Sequence, residues 1–100
     1  MSERFVDVLK HEVAEEKAGA LGRCGRRLEH ALGLFRGLET SNDPRADAKR
    51  ERLLWDLAEH VEALVVQREA CGLRDSRHVL RFYDIPREVI ARVGARRPKR

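Results

Sequence analysis

An all-α fold, a long antiparallel helical hairpin followed by two short helices, is what this 100-residue sequence predicts. Three observations carry the prediction. Apolar residues recur at helical spacing over residues 2–39 and again over 44–71. Between the two runs stands Thr40-Ser41-Asn42-Asp43-Pro44, a cluster of turn-forming residues. Nowhere does the chain alternate as a strand does. The composition agrees: charged residues make up 38% and aromatics 5%, a mix that suits exposed helices rather than sheets.

Ser2 caps the first helix, and Glu3 and Asp7 suit the positive end of its dipole. Phe5, Val6, Leu9, Val13, Ala14, Ala20, Leu21, Cys24, Leu28, Ala31, Leu32, Phe35 and Leu38 form its apolar face. From Leu21 onward the spacing is heptad-like, and the phase slips near Glu16-Lys17. Gly19, Gly22 and Gly25 sit beside the slip, where they mark a kink or let another backbone approach closely. The favoured reading is one continuous helix, bent or straight; the alternative is two helices broken near Gly19.

Asp43 caps the second helix and Pro44 opens it, a position where its missing N–H is no loss. Leu54, Leu57, Ala58, Val61, Leu64, Val65 and Cys71 make the apolar face, with Arg68 interrupting it and Trp55 and Val66 widening it. Trp55 packs either within the chain or at a contact between subunits. Gly72 is placed as a left-handed C-cap. Asp75 or Ser76 caps a short helix running to about Tyr83. Asp84-Ile85-Pro86 turns the chain, and a last helix runs from Pro86 to Val93 and ends at Gly94. Residues 1–94 thus form a single helical domain. Residues 95–100 are read as a disordered basic tail that folding does not need.

Arg96, Arg97, Lys99 and Arg100 account for the whole net charge of +4, so the body of the chain is balanced. A uniformly basic nucleic-acid binder looks different. No stretch reads as a membrane span or as a secretory signal, and a cytoplasmic setting is expected. Cys24 and Cys71 are expected to be free thiols.

At ~1.5 Å per residue the first helix spans ~57 Å and the second ~42 Å. Folding back at the turn sets residues opposite when their numbers sum to about 83, so the second helix ends near residues 11–12 of the first. Phe5, Val6 and Leu9 overhang, and the C-terminal helices are expected to cover them. The middle of the hairpin is then left open. A homodimer is expected to close it, with Leu21, Leu28, Phe35, Leu54, Leu57 and Val61 at the interface.

Few residues suggest chemistry. Val79, Leu80, Tyr83, Ile85, Ile90 and Val93 match the apolar positions of a DNA-reading helix-turn-helix. In that reading Arg87, Glu88 and Arg92 are exposed on the recognition helix, while Arg96, Arg97, Lys99 and Arg100 supply phosphate contacts. Asp84 stands where such motifs usually carry Gly, and Leu80 where Ala is usual, so plain packing of two short helices is the stronger reading. The antiparallel register brings Cys71 toward His11 and Cys24 toward His60. Two ligands apiece fall short of the four of a structural zinc site, and no metal or cofactor is expected. His30 and His78 read as ordinary, partly exposed side chains. Glu12, Glu15, Glu16, Glu59 and Glu62 lack the Glu-x-x-His companions of a di-iron bundle and read as solvated faces, with pairs such as Arg52–Asp56.

Ala18-Gly19-Ala20-Leu21-Gly22-Arg23, followed by Gly25-Arg26-Arg27-Leu28-Glu29, resembles a small family of uncharacterised bacterial proteins. So do Gln67-Arg68-Glu69-Ala70-Cys71-Gly72-Leu73-Arg74-Asp75 and Tyr83-Asp84-Ile85-Pro86-Arg87-Glu88-Val89. The resemblance covers most of residues 5–94. It implies a bacterial source and a compact helical domain, and it transfers no activity and no functional residue. The function expected is that of a helical interaction or scaffold protein, without a catalytic role, cofactor or evident small-molecule substrate. The alternative is a DNA-binding protein acting through residues 75–94 and the basic tail.

Overall fold

The computed structural model describes residues 2–99. It comprises α1 (Glu3–Leu38), α2 (Ala46–Ala70), α3 (Arg77–Phe82) and α4 (Arg87–Ile90), and no strand occurs among the described residues. The molecule is 63 Å long and 28 by 23 Å across. α1 is continuous through all three of its early glycines. The Ser2 hydroxyl accepts from the Phe5 amide at 3.2 Å, the cap the sequence predicts.

The hairpin turn is held by Asp43. Its carboxylate accepts from the Arg45 amide at 2.8 Å and from Lys49 Nζ, and its carbonyl accepts from the Ala46 amide at 3.0 Å. α2 begins at Ala46, after a turn through Pro44 and Arg45, rather than at Pro44 itself. At the far end Gly72, with φ 84°, closes α2. The Leu73 amide reaches back to the Arg68 carbonyl and the Gly72 amide to the Glu69 carbonyl, both at 2.9 Å. This is a Schellman motif, which a left-handed residue permits.

α3 ends in the same way with a different residue. Asp84 takes the left-handed conformation, φ 52°. The Ile85 amide bonds the Leu80 carbonyl at 3.0 Å and the Asp84 amide bonds that of Arg81 at 3.2 Å. Aspartate tolerates this geometry better than most side chains, so the turn forms without glycine.

Both reversals send the chain back along the hairpin. Val79, Ile85 and Val89 join Leu28, Ala31, Leu32, Phe35, Leu54, Leu57, Ala58, Val61 and Leu64 in one core. The expected dimer contacts are therefore corrected. Leu28, Leu54 and Leu57 are fully buried within a single chain, Val61 and Phe35 nearly so, and Leu21 packs against the same core. The C-terminal helices cover the middle of the hairpin and leave the overhang bare. The physical reason is area: the middle offers apolar residues from both long helices, whereas the overhang offers them from one.

Candidate functional site

Two features of the surface stand out from this frame. The first is the N-terminal arm of α1. The end of α2 meets α1 at Lys17, whose carbonyl accepts from Gln67 Nε2 at 3.3 Å and from Cys71 Sγ at 3.6 Å. Cys71 thus lies about one and a half turns from His11, and the expected Cys71–His11 pairing is not formed. His11 is 2.8 Å from Glu15 instead. Before Lys17 every described residue of the arm is exposed except the half-buried Val6. Phe5, Leu9 and Val13, each one turn from the next, are 50%, 42% and 53% exposed, and Val8 flanks them. Among the described residues no three potential metal ligands cluster. Cys24 and Cys71 are free thiols.

The second feature is an open groove of about 370 Å³ between α1, α2 and α3. Leu21, Leu64, Val79 and Phe82 form its apolar walls, and Gly22 and Gly25 lie along its α1 side. A Cβ at Gly25 would stand 3.2 Å from the Tyr83 hydroxyl, so glycine at this position keeps the space beside that hydroxyl open. The polar lining is Arg26, Glu29, Arg68, His78 and Tyr83. Arg68 Nη2 donates to the Asp75 carbonyl at 3.1 Å, while its buried Nε has no partner. Arg26 forms no ion pair among the described residues, and its guanidinium lies over Gly22. Burial raises the Tyr83 hydroxyl above its ordinary pKa, and the Glu29 carboxylate adds to this while Arg68 opposes it.

Three of the residues of the DNA-reading hypothesis, Glu88, Arg92 and Arg97, are engaged within the chain. α4 has four residues. Its phase departs from a helix-turn-helix: Val89 is fully buried and Ile90 is 41% exposed. Arg92 is not free on a recognition helix. Its guanidinium stacks over Trp55 at 5.3 Å, donates to the Glu88 carbonyl at 2.8 Å and pairs with Glu51 at 3.1 Å. Trp55, bonded to the same Glu51 oxygen, therefore packs within the chain. Glu88 is held by Arg50 in a two-pronged pair at 2.6 and 2.9 Å. In the tail, Arg97 pairs with Asp56 at 2.8 Å and Glu59 at 3.4 Å, so Asp56 takes this partner in place of the expected Arg52. Arg87, Arg96 and Lys99 are exposed, and Arg100 lies outside the described residues.

Taken together, the architecture defines a small all-helical domain with a hairpin core and a C-terminal helical cover. The chain belongs to DUF6665, a family of unknown function whose sequence profile matches residues 3–99. No curated protein and no solved structure shows significant similarity to it. Among the described residues no helix is long and apolar enough to cross a membrane.

Proposed function

We propose that the protein is a helical interaction module that acts by association rather than catalysis, and that its first partner is a second copy of itself. The observation that carries the reading is the bare arm of α1. Its apolar stripe lies on the same continuous helix beyond the point where α2 stops, rotated away from the core face by the phase slip near Glu16-Lys17. Two arms laid antiparallel cover each other's stripe. At roughly half exposure, the four large apolar side chains of each arm offer on the order of 350 Å². With the neighbouring Lys and Glu stems, two arms bury about 1,000 Å², the lower edge of specific interfaces. Such an area fits a reversible dimer, not an obligate one. The free thiols Cys24 and Cys71 suit a reducing, bacterial cytoplasmic setting.

Sedimentation velocity from about 5 to about 500 µM tests the reading. The expected result is a shift from the 11.5 kDa monomer toward twice that mass. Leu9→Glu should abolish the shift and leave the helical content in place. A protein that stays monomeric throughout, or a Leu9→Glu variant that associates as before, overturns it.

A further inference from the structure

We propose that the groove between α1, α2 and α3 is a binding site for a small organic monocarboxylate with an apolar body. This goes beyond self-association and involves a different face. The walls are apolar and the polar groups are few and convergent, the usual build of a small-molecule site, and about 370 Å³ falls within its usual range. Two hydrogen-bond donors that line the space, the Arg26 guanidinium and the Tyr83 hydroxyl, have no partner among the described residues. Guanidinium groups recognise planar carboxylates with paired N–H donors. The chain has also left Arg26 available. Arg26 sits three residues before Glu29 on α1, yet forms no ion pair with it. Arg68, which interrupts an otherwise apolar helix face, adds a second guanidinium to the lining.

The lining also selects the charge of the ligand. Two arginines against Glu29 leave one net positive charge, which matches a monocarboxylate better than a phosphate dianion. Phe82, 71% exposed at the rim with Tyr83 stacked edge-on at 5.0 Å, supplies an aromatic surface for a ring. The glycines explain the shape of the site. Gly25 in the middle of a 36-residue helix lowers its helical propensity, and a side chain there would intrude on the space beside the tyrosine hydroxyl.

The test is an amide chemical-shift titration of the full chain with 1-naphthylacetate, with the neutral isostere 1-naphthaleneethanol as control. Naphthylacetate should bind with a dissociation constant below about 1 mM and move the amides of Gly22, Gly25, Val79 and Phe82. The alcohol should bind at least about tenfold more weakly, the loss expected for a charge-assisted hydrogen bond. Arg26→Gln, at an exposed position with no partner to lose, should weaken naphthylacetate by a similar factor. Gly25→Ala should weaken both compounds while keeping or raising the melting temperature. The inference is overturned if the acid and the alcohol bind alike, if Arg26→Gln changes nothing, or if the groove amides do not move. It is also overturned if those amides shift with protein concentration alone, because a second copy then occupies the groove. Running the titration on Leu9→Glu separates the two proposals, since that variant removes the arm contact and leaves the groove intact.

Discussion

Replacing Leu28 with alanine tests whether the core belongs to one chain. The Leu28 side chain is fully buried in the core that contains Leu32, Leu57, Val61 and Val89. Deleting it removes three carbons' worth of transfer free energy and leaves a cavity, for a cost of about 3 kcal/mol within a range of about 2–5. In a domain of this size each kcal/mol moves the melting temperature by about 4–8 °C, so a fall of about 12–24 °C is expected. Leu34, on the same helix and 52% exposed, is the control, and its alanine variant should cost less than about 1 kcal/mol. The assay is urea unfolding followed by circular dichroism at about 2 and about 100 µM protein. Because Leu28 is enclosed by its own chain, the difference between variant and parent should be the same at both concentrations. A cost under about 1 kcal/mol, or one that grows with concentration, would mean that Leu28 is buried between copies and that the packing described here is wrong.

Three further perturbations probe the reversals and the polar ties. Asp84→Gly should raise stability by about 0.5–1 kcal/mol, since glycine accepts φ 52° without the Cβ penalty; a lower melting temperature would show that the carboxylate is needed at the turn. Gly72→Ala, at φ 84° with open space around it, should cost about 1–2 kcal/mol through backbone strain alone, and an unchanged melting temperature would refute the left-handed cap. Acid should destabilise the fold in a way that Glu88→Gln blunts. Arg50 holds the Glu88 carboxyl below its ordinary value of 4.5. The folded state therefore binds fewer protons than the unfolded one, and the stabilisation is complete above about pH 4.5 and fades as the pH falls toward the folded value. Melting curves between about pH 2 and pH 6 check this, and identical acid limbs for parent and variant would contradict it.

What the sequence made legible is what local chemistry decides. Ser2 and Gly72 bear their capping roles in a side chain or the lack of one, whereas Asp43 holds the turn before α2 instead of capping it, and the helical periods on either side of the turn needed no partner to be recognised. The destination of the C-terminal helices was not legible, because it depends on which surface offers the larger apolar area. That in turn hinged on a left-handed Asp84, a conformation aspartate adopts only sometimes. The antiparallel count carried Cys71 to His11, whereas the contact forms at Lys17, a fixed offset in register that the position of the turn alone does not set. The groove left two traces in the sequence, the interruption of α2's apolar face by Arg68 and the glycines of α1. Neither trace says which side chains converge, because Tyr83 and Phe82 arrive there only through the tertiary fold.

The arm has one more consequence, for the way it exists when no partner is present. A helical extension without tertiary support is marginal in water: the packed part of α1 supplies the nucleus, but each added residue gains little. In a solitary copy the arm is therefore in a helix–coil equilibrium, fraying from Ser2 inward. Pairing would draw that equilibrium toward helix, so that ordering and association become a single coupled event. The amides around Leu9 would exchange with solvent quickly in a dilute sample and slowly in a concentrated one, while those around Leu28 keep the protection of the global fold at either concentration. The arm would then sense the local abundance of its own chain through its degree of order.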